Sequence, residues 1–268
     1  NFSVNDVDFK MIFVEGGEFL MGDNQDEFKN NLSHNVILDS YYMGETEVTQ
    51  ALWRALMGDY KIDNNLGKFK GDKYPIFNVS WFDANLMCEK LNEVLSVYLP
   101  KGYKFSLPTE AQWEFAARGG IHSHNCKYSG SNNLGIVAWF NGNSNEEKQF
   151  VALKYPNELG LYDMSGNVWE WCSDWYDRDY YLNSLRRNPL GPDMGDVRVL
   201  RGGSSIDDLV KSRVFYRNYT SPNVCRKFNG FRLSLSYRKD MFIQKQSVKN
   251  EKQRIDIKHC KHLIILKK

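Results

Sequence analysis

The chain has 268 residues, 42% hydrophobic and 14% aromatic, with a formal net charge of +2. That is enough apolar material for one large core, and the aromatic share beside only seven prolines excludes a disordered chain. No apolar run reaches the length of a membrane-crossing helix, the nearest being "HLIIL" at residues 262–266.

The sequence opens at Asn1 without a methionine, so a signal peptide or lipid attachment would lie upstream of it. "KMIFVEGGEFLMGD" has two short apolar runs around Gly16-Gly17 and predicts a β-hairpin; "HNVILDSYYMGETEVT" repeats the pattern near residues 36–38 and 41–43. Thr46 then offers an N-cap, "EVTQALWRALMG" puts Val48, Leu52, Ala55 and Leu56 on one helical face, and Gly58 ends it. Ser80 starts a second helix with Asp83 as a short-armed capping box, carrying Leu86, Met87, Leu91, Leu95 and Tyr98 at helical spacing. In "LPTEAQWEFAARGG", Thr109 and Gln112 match a reciprocal capping box and Gly119-Gly120 closes the helix. From residue 121 to 236 helical periodicity fades into turns punctuated by short strands such as "VRVLRGG" and "NGFRLSL". Helices in the first half and irregular β structure in the second point to an α+β fold. Residues 237–268 hold ten Lys/Arg against three Asp/Glu, a charge of +7, which leaves −5 on the first 236 residues. This basic extension reads as solvated and outside the core; contact with nucleic acid or acidic lipid is the sharper but less favoured account.

Five cysteines (Cys88, Cys126, Cys172, Cys225 and Cys260) show no CxxC spacing, which argues against a structural zinc site and a dense disulfide framework. Neither Gly-rich phosphate loop, GxGxxG or GxxxxGK[ST], occurs. The unusual stretch is "LYDMSGNVWEW", residues 161–171, where Trp169 and Trp171 flank Glu170. Either this is a strand with one wet face, or the acid has a buried partner. Alternation sends both tryptophans to one side and Val168 and Glu170 to the other.

Seven blocks, in order, resemble the formylglycine-generating-enzyme (sulfatase-modifying factor) family: "FVEGGEFLMGD", "GETEVTQALWRALMG", "PIFNVSWFDANLMCEKLN", "FSLPTEAQWEFAARGG", "PNELGLYDMSGNVWEWCSDWYD", "RVLRGGS" and "NGFRLS". They span about residues 10–236 and define one domain over residues 1–236. The resemblance implies a coil-rich variant of the C-type-lectin-like fold, which hosts enzymes and binding proteins alike. It also implies, for the enzymes, copper held by two cysteines soon after Gly-Gly-Ser, as suits soft thiolates. Here no cysteine lies between Ser204 and Cys225, so the pair is missing and copper is not expected. Another branch uses iron on histidines of an added helical domain. His34, His122, His124, His259 and His262 do not supply the spaced helical set.

The family's calcium site, carried over residue by residue, would use the Asp163 side chain, the Gly166 and Val168 carbonyls and the Glu170 carboxylate, an oxygen set that suits the ion in a structural role. The alternative is that Glu170 pairs with an arginine such as Arg201 or Arg232. The segment after Gly202-Gly203-Ser204 also resembles the variable proteins of diversity-generating retroelements. It presents Ser205, Ile206, Asp207, Asp208, Phe215, Tyr216, Asn218, Tyr219, Asn223, Val224, Arg226, Lys227 and Phe228, an interleaving of aromatic, amide and charged groups that binding faces use. Arg217 and Arg232 are expected to be buried structural partners. The reading that follows is a non-catalytic domain binding a protein or small molecule, extracytoplasmic or at the cell surface, with nucleic acid not expected as a partner. Its rival is a formylglycine-generating oxidase, or a related oxygen-dependent enzyme, with an altered metal centre.

Overall fold

A computed structural model describes residues 1–24, 32–61 and 66–238. After a small hairpin, β1 (Phe2–Val4) and β2 (Val7–Phe9), the chain forms β3 (Met11–Val14), β4 (Gly17–Met21), β5 (His34–Leu38) and β6 (Tyr41–Gly44). These are not the two successive hairpins that the apolar runs predict. β4 pairs with β5, while β3 pairs with β6 in a different sheet. Both chains bend together at the same level, where Gly16 donates to the Ser40 hydroxyl at 2.9 Å. A Cβ on Gly16 would sit 2.5 Å from the Leu38 carbonyl oxygen, so the corner needs glycine for its close approach rather than for a tight hairpin turn.

The helices follow their caps. α1 (Gln50–Met57) starts at Thr49, whose side chain accepts from the Leu52 N–H; the N-cap is therefore three residues later than Thr46. Val48 precedes the helix and is tied instead by backbone bonds to Phe231 and Ile76. α2 (Trp81–Val94) has the capping box of Ser80 and Asp83, and α3 (Glu110–Ala117) that of Thr109 and Gln112. α2 buries Ala84, Met87, Cys88 and Leu91, whereas Leu86 and Tyr98 lie on the solvent side. Leu86 is one position off the buried stripe, a difference of about 100° around the helix axis. A short helix α4 (Leu134–Val137), capped by Asn133, interrupts the region read as turns and strands.

Two four-stranded sheets organise the rest. One has the order β3-β6-β12-β7, with β7 at Tyr103–Ser106 and β12 at Ser234–Tyr237. The other has the order β10-β9-β8-β11, with β8 at Trp169–Trp175, β9 at Arg198–Arg201, β10 at Asn218–Thr220 and β11 at Asn229–Gly230. The inner strands β8 and β9 of this second sheet are covered on both faces. Trp169, Trp171 and Leu200 pack into the cluster that includes Trp53, Met87 and Leu91, while Cys172 and Val199 join Trp113 and Phe115 on the other side. β8 has no wet face, so its acid must find a partner inside. β12 pairs Tyr237 with Tyr103, so Tyr237 belongs to the sheet, and the Arg238 N–H is tied beside it to the Gly102 carbonyl. The remainder of the basic extension, with Cys260, His259 and His262, lies outside the described residues. No helix among the described residues is long and apolar enough to cross a membrane.

Candidate functional site

A cleft of about 510 Å³ opens across the β10-β9-β8-β11 sheet. Its floor is Trp169 from β8, Leu200 from β9, Asn218 and Thr220 from β10, and Asn229 from β11. One wall is the turn after β9, with Ser204, Ile206 and Asp207; the other is the loop before β11, with Arg226, Lys227 and Phe228. Tyr219 closes one end, half exposed at 50% and stacked on Tyr176 with ring centroids 4.1 Å apart.

Buried ion pairs hold these walls from behind. The Arg201 guanidinium is fully buried, pairs with Glu114, and donates to the carbonyls of Phe215 at 2.8 Å and Tyr216 at 2.6 Å. Arg217 makes a two-point pair with Glu110, at 2.7 and 2.9 Å. Glu110 and Glu114 are one turn apart on α3, so this helix anchors the segment that leads into β10. Asp207 braces the other wall: it accepts from the Trp169 indole at 2.8 Å and from the Ser204 hydroxyl, and pairs with Lys211 at 2.9 Å.

Of the segment expected to form a binding face, Ile206, Asp207, Asn218, Tyr219, Arg226, Lys227 and Phe228 meet around this cleft. Ser205 and Phe215 are corrections, because both are buried. The Ser205 backbone bonds to Asn167 and Ser144, and Phe215 belongs to the arginine-anchored stretch. Tyr216 is half-buried behind the floor, tilted against Trp169 at 6.1 Å. Asp208 is exposed and caps the Val210 and Lys211 N–H groups, and Asn223 and Val224 stand away from the cleft lining. The floor residues Trp169, Leu200 and Thr220 carry no local sign of their role in the sequence; strand pairing brings them together.

The residues of the expected calcium set differ in their surroundings. Glu170 is fully buried, and both its oxygens are engaged: Oε1 by Arg232 Nη2 at 2.7 Å, Oε2 by Arg232 Nε at 2.6 Å and by the Trp113 indole at 2.7 Å. Arg201, the other arginine considered, pairs with Glu114 instead. Asp163 is different. Its Oδ2 accepts from the Ala152 N–H at 2.7 Å, but its buried Oδ1 has no hydrogen-bond partner among the described residues. Burial pushes the Asp163 carboxyl up to about 6, with Glu170 adding to the shift. Gly166 has φ of +85°, and a Cβ there would meet the Trp139 carbonyl oxygen at 2.2 Å, so the turn that carries it into Val168 requires glycine. Glu47, just before α1 and without a local sign of its role in the sequence, accepts from the Asn167 amide at 3.0 Å and the Val168 N–H at 3.3 Å. Its carboxyl is raised by burial and by the charges of Asp163 and Glu170. As arranged, Asp163 keeps one oxygen unengaged, whereas both Glu170 oxygens are taken. Among the described residues, no three His, Cys, Asp or Glu side chains converge as a metal cluster.

The thiols stand apart from the cleft. Cys172 is fully buried and its thiol is pushed well up by burial, which makes it a packing residue. Cys225 is half-buried, with its sulfur 3.5 Å from Lys61 Nζ. His122 and His124 are exposed, and His34 packs at a tilt against Tyr181.

A coil-rich α+β fold with this sheet and a loop-walled cleft defines a protein of the C-type-lectin-like class shared by formylglycine-generating enzymes and variable proteins. The chain belongs to the sulfatase-modifying factor enzyme 1-like domain family, whose pattern matches residues 4–236. It is 31% identical to the chaperone protein LppX of Paenibacillus barcinonensis over 252 residues, 77% of this chain and 82% of that protein. The formylglycine-generating enzyme of Streptomyces coelicolor is 34% identical over 176 residues, 59% of this chain and 52% of the enzyme. The chain spans only 37% of the serine/threonine-protein kinase pkn1 of Chlamydia caviae, at 30% identity over 83% of its own length. Among solved structures, Treponema denticola variable protein 1 superposes with a TM-score of 0.77 and 34% identity, covering 87% of this chain and 97% of that one.

Proposed function

We propose that this is a non-catalytic binding domain, displayed outside the cytoplasm, that takes a protein or small-molecule ligand in the cleft following Gly202-Gly203-Ser204. The observation that carries the reading is the lining itself. Exposed Ile206, Tyr219, Arg226 and Lys227 stand around a floor fixed by strands and by buried arginines, and none of the lining residues is a cysteine or histidine. A rigid floor under mixed aromatic and charged side chains is the arrangement of a recognition surface. Cu(I) titration separates this reading from the oxidase. The binding-domain reading expects no tight one-to-one copper complex, whereas tight binding lost in Cys225→Ser or Cys172→Ser would restore an altered-centre enzyme. Ligands found by thermal-shift screening should be lost with Tyr219→Ala or Ile206→Asp while the melting temperature of the free protein holds. Fractionation of the source cells with an antibody tests the location.

A second reading concerns structural calcium at the Asp163 turn. It is supported by the unpartnered Asp163 oxygen and by the gathering of three buried carboxyls, Asp163, Glu47 and Glu170, around Arg232. Calcium there would accept Asp163 and the Gly166 and Val168 carbonyls, with Glu170 free to join only by leaving Arg232. Millimolar calcium should raise the melting temperature, EDTA should reverse the rise, and Asp163→Asn should abolish the response. No calcium-dependent shift in the wild type rules the site out.

A further inference from the structure

The cleft is electrically one-sided. Its acid, Asp207, has Oδ2 engaged by Trp169 and Ser204 and Oδ1 paired with Lys211, so it offers no charge to a ligand. Arg226 and Lys227, by contrast, are exposed on the opposite wall. Among the described residues, neither side chain has an ion-pair or hydrogen-bond partner. A third cation stands just behind that wall. The Lys148 ammonium lies 3.7 Å from the Phe228 ring centroid, inside a cage completed by Phe77 at 4.4 Å and Phe69 at 4.7 Å. Lys148 is only 3% exposed, and burial first and then Lys227 lower its ammonium to about 8, which places the two cations within electrostatic reach of each other. Local positive potential therefore sits on a body whose first 236 residues carry −5.

Shape narrows the class further. β10 is the edge of its sheet, paired on one side with β9 only, and all three of its residues line the cleft. An extended chain crossing this face of the sheet would have Trp169 and Leu200 beneath it, Ile206 on one wall and Tyr219 at the end of its track.

We propose that the cleft binds an extended acidic peptide segment, its carboxylates paired with Arg226 and Lys227 and a neighbouring aromatic or aliphatic side chain seated on Trp169 and Ile206. This rests on the reading of the cleft as the binding site and specifies its partner. A polynucleotide is disfavoured by the negative body and by the short reach of two unpaired cations, because nucleic-acid binding draws on a longer basic track.

The test uses the 268-residue chain and fluorescein-labelled peptides alternating Glu with Tyr and Phe, their Glu→Gln and Glu→Lys counterparts, and a labelled single-stranded oligonucleotide, read by anisotropy. The acidic peptide should bind at least about tenfold tighter than the Gln version, weaken as salt rises, and lose that advantage in Arg226→Glu/Lys227→Glu. Both substitutions are on the surface, and circular dichroism checks that the fold is kept. Equal affinity for the Glu and Gln peptides, with binding still lost in Tyr219→Ala, overturns the acidic class but keeps the cleft. Binding that is absent, or indifferent to Tyr219→Ala and Ile206→Asp, overturns both. Preference for the basic peptide or for the oligonucleotide overturns the proposal directly.

Discussion

Glu170 shows how a buried charge is accommodated by what faces it. Its carboxylate is taken out of water completely, and the Arg232 guanidinium and the Trp113 indole restore the hydrogen bonds that hydration would have supplied. A fork of two N–H donors matching two carboxylate oxygens is the strongest form of such a pair. Its net contribution is small against an apolar replacement of both partners, but removal of one partner strands the other. Arg232→Met should therefore destabilise the fold by about 3–5 kcal/mol, measured by urea denaturation, because it leaves the buried Glu170 without its paired cation and close to Asp163 and Glu47. Glu170→Gln should cost less, since the amide oxygen still accepts from Arg232 or Trp113.

Among the elements, α3 does the most positioning for its eight residues. Its capping box fixes the start, its Trp113 reaches β8, and Glu110 and Glu114 fasten Arg217 and Arg201. Those arginines hold the chain that becomes the cleft's end, so stability of the helix and shape of the cleft are linked. Thr109→Ala removes the acceptor for the Gln112 N–H and should lower stability by about 1 kcal/mol, read as a shift in the denaturation midpoint at unchanged slope. Much at this scale was legible: the caps at Ser80 and Thr109, the Gly-rich stop after α3 and the strands around "VRVLRGG" follow from local patterns. The nested pairing of β3 to β6 was not, because alternation of apolar residues specifies a strand but not its neighbour.

For the molecule as a whole, burying so many acids makes stability depend on pH in an unusual direction. Burial, then Glu110, push the Asp174 carboxyl up from 3.8 to about 7. Between those values the folded state keeps a proton that the unfolded chain has released, so this group's contribution falls as pH rises from about 4 to about 7. Glu114 works the other way. The charges of Arg118 and Arg201 outweigh its burial and lower its carboxyl, and that stability is lost only in stronger acid. Denaturation midpoints should thus decline from pH 5 to pH 7.5, and Asp174→Asn, which keeps an acceptor for the Glu110 N–H, should remove on the order of 1–3 kcal/mol of that slope. A profile unchanged by the substitution would show that Asp174 is ionised throughout.

What the sequence determined by itself was the family, the α+β class and the missing cysteine pair, because these are carried by residues adjacent in the chain: seven ordered blocks, capping signals, and the thiol-free run between Ser204 and Cys225. It also marked the loop in which much of the cleft would be found. Only the tertiary structure decided which of those residues face one another. Ser205 and Phe215 turned inward, Trp169 and Leu200 became the floor, and Glu170 met Arg232 across 62 residues of chain. Local pattern encodes whether a side chain prefers water, whereas the partner of a buried charge depends on long-range strand order and packing, which no short stretch of sequence contains.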